Sequence, residues 1–155
     1  KFENEHGMAN SRARLRMTTL YQVAAANSGI VVGTGNKVED FGVGFYTKYG
    51  DGGVDISPIA DCNKSQVWAM GKELGILEEI QMAEPTDGLW SDGRTDTDQL
   101  GMSYKEIEHL MTRPDEPGYE KYLAIRKKNL HKMKPIPVCK FDGKDTLDTD
   151  QKKTQ

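Results

Sequence analysis

The chain has 155 residues, enough for one compact domain, and carries a net charge of −3 with a pI near 5.7. That balance argues against a general nucleic-acid binder, which shows a basic excess. No apolar run reaches membrane-spanning length, the opening KFENEHGMAN lacks the basic and apolar segments of a signal peptide, and Cys62 and Cys139 follow no metal-ligand spacing, so a reduced, cytoplasmic protein with no nucleic-acid or membrane partner is expected.

After a polar lead, Asn10 and Ser11 are candidate caps for a helix in which Met17, Leu20, Tyr21 and Ala24 repeat at helical spacing. The pattern fades at Asn27-Ser28-Gly29, and Ile30, Val31 and Val32 then read as a buried strand ending at Gly33. The stretch VDISPIAD reads as a second extended segment, broken by Pro58. Asn63 or Ser65 then caps a helix carrying Val67, Met70 and Leu74, which stops at Gly75. EPTDGLWSDGRTDTDQLG reads as one long loop, and Ser103-Tyr104-Lys105-Glu106 is a capping box opening a short helix through Leu110. The linker TRPDEPG precedes a last helix with Tyr119, Tyr122, Leu123, Leu130 and Met133 aligned, ended by Pro135 and Pro137. A polar tail follows from Asp142 and is expected to be disordered. Helix, strand, loop, extended stretch and helix make the second half of a doubly wound parallel α/β sheet, and an upstream part with the first strand is expected.

Between Gly33 and Gly53 stand seven glycines, interleaved with Glu39, two lysines and two tyrosines. Glycine suits backbone that turns tightly or approaches a ligand closely, and a glycine-rich loop after a strand is where an open α/β sheet holds its ligand. Glu39 is placed to hold Mg²⁺ beside phosphates, a hard ion that takes oxygen ligands; the alternative is an acid favoured by a helix dipole. Arg12, Arg14 and Arg16 alternate, so they cannot share one face, and they read either as phosphate or carboxylate grips or as a solvated basic face. Lys48 between Tyr46 and Tyr49 offers a cation and two aromatic faces for a ring, or ordinary packing. Lys64, ahead of a helix, and Thr86, between Pro85 and Asp87, can each meet a phosphate, or serve as a solvated lysine and a turn residue. Lys121 to Lys134 hold six Lys or Arg plus His131, so His131-Lys132 ahead of MKPIPVCK forms a basic corner suited to an anion, beyond what the helix dipole explains. Trp68 and Trp90 are expected to pack, Trp90 as a cover over the site.

Taken in order, ARLRM, VVGTGNKVEDFGVGFYTKYGDGGVD, PIADCNKSQV, EPTDGLW, DQLGMSYKEIE and NLHKMKPIPVC resemble the ammonia-dependent NAD synthetases over Asn10 to about Lys140. These are N-type ATP pyrophosphatases, and the resemblance implies an adenine-nucleotide α-hydrolase-like (Rossmann-like) parallel sheet with flanking helices. It implies a ligase that joins ATP to the nicotinate carboxylate of deamido-NAD, releases pyrophosphate, and lets ammonia displace AMP to give NAD. It assigns Thr34, Lys64 and Thr86 to ATP, Glu39 to magnesium, and Arg14, Lys48, Asp55, His131 and Lys132 to deamido-NAD; it assigns no catalytic side chain. Mg²⁺, ATP as co-substrate and a homodimer follow from the family.

The family's upstream Ser-Gly-Gly-x-Asp-Ser phosphate loop, whose Asp is a second magnesium ligand, occurs nowhere in these residues. Residues 1–140 therefore read as the C-terminal portion of a single synthetase domain and 141–155 as its tail. Two alternatives stand beside the enzyme: a silent fragment or dinucleotide-binding module without the phosphate loop, and a portion of a glutamine-dependent synthetase. No nitrilase-like region is present, which favours free ammonia.

Overall fold

Residues 3–139 are described by a computed structural model, so the tail expected from Asp142 and the domain limit at 140 lie outside the described residues. The first helix, α1 (Glu5–Ala26), starts before the expected caps. Asn4 stands in extended conformation and its side chain accepts from the Gly7 amide at 2.7 Å, satisfying one of the orphan donors of the first turn. The residues expected to cap it are spent inside: the Ser11 hydroxyl donates to the Gly7 carbonyl, and Asn10 accepts from the Thr47 hydroxyl at 2.7 Å. The expected face is covered and extends toward the helix start: α1 buries Ala9 and Ala13, with Met17, Tyr21 and Ala24 half-buried in line with them, whereas Leu20 is exposed, as are Leu15 and Val23. The small side chains let backbone come close: a Cβ on Gly50 would lie 2.9 Å from that of Ala13.

Beyond Asn27 the chain extends as predicted, but as a thin strand. Val31 is buried while Ile30 and Val32 stay more than half exposed, as alternation across an extended segment with one covered face requires. Val32 and Ile56 form a parallel bridge, closed by the Gly33 amide on the Ile56 carbonyl (2.7 Å) and the Asp55 amide on the Val31 carbonyl (2.9 Å). Among the described residues this bridge is all the strand pairing there is, so the expected parallel sheet is reduced to one contact. A ladder propagates only through further strands on its edges, and no third extended segment lies alongside these two here.

The glycine-rich loop then folds on itself. A π-helical turn spans Val38–Val43 and ends at Gly44, whose left-handed φ of 66° suits a residue without a side chain. Helix α2 (Lys64–Glu73) starts after Asn63 and ends into Gly75, as the sequence predicts. Two short helices follow: α3 (Glu78–Met82), and α4 (Asp96–Leu100) inside the segment read as one long loop, capped by the Thr95 hydroxyl on the Asp98 amide. Helix α5 (Tyr104–Leu110) has the expected capping box, with Glu106 accepting from the Ser103 amide at 2.7 Å. Helix α6 (Tyr119–Met133) matches its prediction.

The main core joins Val38 and Val43 of the π-turn to Leu100, Met102, Tyr104, Ile107, Leu110 and Tyr122, with Trp68 against its rim. A second, smaller core holds Ala9, Ala13 and Leu89 under Trp90. Both tryptophans thus pack. α6 is strapped to the π-turn, Arg126 donating to the Gly42 carbonyl at 2.9 Å.

Candidate active site

The site grows from the π-turn. Asn36 is 2% exposed and its side-chain Oδ1 accepts the Val38 and Glu39 amides at 3.0 and 3.2 Å, an Asx-type cap that fixes where the turn carrying Glu39 starts. Lys64 stands first in α2, which the Asn63–Gln66 cap orients, and its ammonium donates to Glu39 Oε1 at 2.7 Å. Both side chains of this pair are only 17% exposed. The Lys64 ammonium also lies 4.5 Å above the Tyr104 ring, and the Tyr104 hydroxyl donates to buried Asp96 at 2.6 Å. Asp96 Oδ1 has no hydrogen-bond partner among the described residues. Burial raises the Asp96 carboxyl above its ordinary value, opposed by the Tyr104 hydroxyl. Asp40, beside Glu39, is pushed up to about 6, first by burial and then by the charges of Glu39 and Asp51.

Four residues matched to deamido-NAD gather on a second side. Arg14 Nε donates to the Lys48 carbonyl at 3.2 Å, and Lys48 Nζ reaches the His131 carbonyl at 3.4 Å. Lys132 is more tightly held: its ammonium donates to the Gly44 and Tyr46 carbonyls at 2.9 and 2.6 Å, and the Tyr46 hydroxyl donates back to the Lys132 carbonyl at 2.7 Å. Burial lowers the Lys132 pKa, and the Asp51 charge counters that. The aromatic pairing also separates: Lys48 lies 5.5 Å over Tyr49, while Tyr46 faces Lys132 at 5.4 Å. Asp55 stands elsewhere, accepting from the Tyr21 hydroxyl and the Val31 amide, so it ties α1 to the extended pair.

Thr34 is exposed at the end of the extended segment. Thr86 is exposed on the loop before α4, where its hydroxyl donates to the Arg94 carbonyl and accepts the Gly88 amide, both at 3.2 Å. A cleft of about 520 Å³ is walled by Tyr46, Asp51, Trp90, Arg94, Lys128 and Lys132 among others; of the residues assigned to ATP, magnesium or deamido-NAD only Lys132 lines it. Arg94, Lys128 and Lys132 give it cations and Tyr46 and Trp90 aromatic faces, which suit an anionic ligand that carries a ring, beside three carboxylates, Glu5, Asp51 and Asp87. Asn36, Asp96 and Tyr104 are the site residues sequence reasoning missed. Asn36 had a readable signal, an Asn just ahead of a helical turn; Asp96 and Tyr104 had none, because their pairing is set by tertiary packing.

The magnesium expected at Glu39 fits the donor set. Mg²⁺ is held through one or two carboxylates plus substrate phosphates, not by an all-protein cage. Glu39 supplies one hard oxygen position, and among the described residues no cluster of three or more His, Cys, Asp or Glu forms a cage. Among the described residues, too, no helix is long and apolar enough to cross a membrane.

The NAD synthase family model matches residues 2–141. The NH(3)-dependent NAD(+) synthetase of Carboxydothermus hydrogenoformans is 46% identical over 104 residues, 67% of this chain and 42% of that protein. Among solved structures, an NMN synthetase from Francisella tularensis superposes with a TM-score of 0.82 at 35% identity, covering 90% of this chain and 59% of its own. An NH3-dependent NAD synthetase from Campylobacter jejuni, solved with a nitrate ion, gives 0.59 at 27% identity, covering 84% of this chain and 54% of its own. The chain spans about half the length of the curated relatives it matches. With the family model matched over nearly its whole length, this chain belongs to the NAD synthase family.

Proposed function

We propose that this chain is the C-terminal portion of an ammonia-dependent NAD synthetase, folded as part of an adenine-nucleotide α-hydrolase-like parallel sheet. The reaction is ATP-driven amide formation on the nicotinate carboxylate of deamido-NAD. A free carboxylate is a poor acyl donor, because oxide is no leaving group. Attack of a carboxylate oxygen on the α-phosphorus of ATP forms a C–O–P bond and expels pyrophosphate. Ammonia then attacks the carboxyl carbon, loses a proton, and AMP departs with the bridging oxygen. The Glu39–Lys64 pair carries this reading: the two groups matched to metal and phosphate, 25 positions apart in the chain, meet at 2.7 Å.

Each group has a task in that scheme. Lys64 moves from Glu39 to a phosphate oxygen, and Glu39 becomes free to serve as an oxygen ligand. Mg²⁺ bound there would neutralise charge developing on the pyrophosphate. Thr34 and Thr86 offer hydroxyls to ATP. Lys132 lines the cleft, Arg14, Lys48 and His131 follow beside it in a chain of hydrogen bonds, and all four, with Asp55, are dinucleotide contacts by resemblance. A homodimer and a cytoplasmic setting belong to the same proposal, as does an upstream phosphate loop supplying backbone amides to the pyrophosphate.

A second reading concerns the size of the acyl substrate. The superposition of 0.82 is with an NMN synthetase, which favours nicotinate mononucleotide over the dinucleotide. A substrate panel on the protein as its gene encodes it separates the two. The main reading expects a higher kcat/KM for deamido-NAD than for nicotinate mononucleotide. The reverse order selects the second reading, and turnover of neither, with another carboxylic substrate used instead, removes both.

A further inference from the structure

Arg12, Arg14 and Arg16 divide their work between two sides of α1. Positions 12 and 16 are one helical turn apart and share a face, while position 14 points away from them. On the shared face, Arg12 Nη1 donates to the Leu89 carbonyl at 2.7 Å. Arg16 Nη1 and Nη2 donate to the Asp87 and Gly88 carbonyls at 3.2 and 2.9 Å. Three consecutive carbonyls, more than 70 positions in sequence from the arginines, are therefore all held by two guanidinium groups. On the other side, Arg14 donates to the Lys48 carbonyl.

The segment so held is the turn that presents Thr86. Thr86 Oγ1 accepts the Gly88 amide, and Asp87 Oδ1 accepts the Leu89 amide at 2.9 Å. Gly88 adopts a left-handed φ of 60°. These side-chain turns satisfy the amides of residues 88 and 89 but leave the carbonyls to the arginines. The Asp87 carboxylate is itself held by Trp90 Nε1 and Gln99 Nε2, and Leu89 is buried against Ala9 and Ala13. A planar guanidinium holds its donors in a fixed fork that matches two successive carbonyls, whereas a lysine ammonium is a compact charge on a flexible stem.

We propose that Arg16, with Arg12, is a positioning residue for the Thr86 turn, and that α1 thereby couples the ATP side of the site to the dinucleotide side that Arg14 touches. The proposal rests on the synthetase reading above. Arg16 touches no reacting atom: it fixes the peptide planes of residues 87 and 88, and through them the direction of the Thr86 hydroxyl. Removing the fork leaves the helix and both cores in place, since the Arg16 side chain is exposed, and frees the turn.

The test is a double-mutant cycle between Arg16→Met and Thr86→Val in the protein as its gene encodes it. Arg16→Met should raise KM for ATP about tenfold with KM for the acyl substrate changed less than about twofold. Amide hydrogen exchange at residues 88–90 should quicken, with an unchanged melting temperature. Arg16→Lys should recover part of the loss. In the Thr86→Val background, Arg16→Met should add almost nothing, because the group it positions is gone. Additive effects in the cycle, an unchanged KM for ATP, or an equal rise in both KM values would overturn the proposal. A Thr86→Val variant as active as wild type would overturn it as well, while a wild-type protein that makes no amide would bring down the synthetase reading, and the proposal with it.

Discussion

Glu39 and Lys64 neutralise each other across 2.7 Å with little water around either, which sets up a measurable coupling. Exposed ion pairs contribute about 0–1 kcal/mol, while breaking a fully buried one costs about 3–5 kcal/mol; at 17% exposure an intermediate coupling of about 1–2 kcal/mol is expected. A Glu39→Gln, Lys64→Met double-mutant cycle in urea unfolding should return that value, and a coupling indistinguishable from zero would mean the pair does not form in solution. Glu39→Gln should also cut amide formation by orders of magnitude, because the glutamine keeps the size but not the charge a cation needs. Activity near the wild-type level would leave Glu39 as an acid placed only for the helical turn. At this scale the sequence was informative wherever a residue type carries its own chemistry: Glu39 and Lys64 were both singled out, and they do meet. Asp96 and Tyr104 were invisible because neither has a local pattern. Their hydrogen bond exists only because Tyr104 is buried in the core that α5 builds against the π-turn.

At the scale of elements, local chemistry foretold best what local chemistry causes. The α5 capping box was legible because its hydrogen bonds run between residues three apart, and it has a pH signature. Hydrogen bonds from the Ser103 hydroxyl and amide hold the Glu106 carboxyl below its ordinary value of 4.5. Its contribution is complete above pH 4.5 and is lost as pH falls through the lower folded value. Glu106→Gln should therefore flatten the fall in melting temperature on the acid side of pH 4.5, with the gap to wild type widest near neutral pH and closing in acid. Parallel melting curves across that range would count against the cap. The start of α1 was misread because three polar residues, Asn4, Asn10 and Ser11, are all competent caps, and the choice among them is made by the contact of Asn10 with Thr47. Helix α4 was missed for a related reason: it is short, and is secured by its Thr95 cap and by the Asp96 amide on the distant Pro85 carbonyl.

For the whole molecule, the glycine-rich loop was read as backbone cleared for a ligand, and most of that clearance serves the chain itself: side chains on Gly35, Gly50 or Gly52 would collide with Asp40, Ala13 or Tyr46. The loop is thus a folded platform whose rim carries the charged groups. The apolar face of α1 and the extended pair, with Leu15, Leu20, Val23, Ile30, Val32 and Ile56 exposed, also fits a chain that spans about half the length of the relatives it matches. The 155-residue polypeptide on its own is expected to form no NAD from deamido-NAD, ATP, Mg²⁺ and ammonia, since none of its stretches matches the family's phosphate loop, and to regain turnover when joined to a segment bearing that loop. Turnover by the 155 residues alone, at a rate comparable with the joined form, would show that its own loops cradle the phosphates. The central claim is activation of a carboxylate by adenylation, and oxygen transfer reports it directly. Deamido-NAD labelled with ¹⁸O in the nicotinate carboxylate should be turned over with ATP and ammonia by the protein as its gene encodes it, and the nucleotide and phosphate products weighed by mass spectrometry. The account predicts one labelled oxygen in AMP for each NAD formed, with unlabelled pyrophosphate; label in orthophosphate with ADP as the nucleotide product would contradict it.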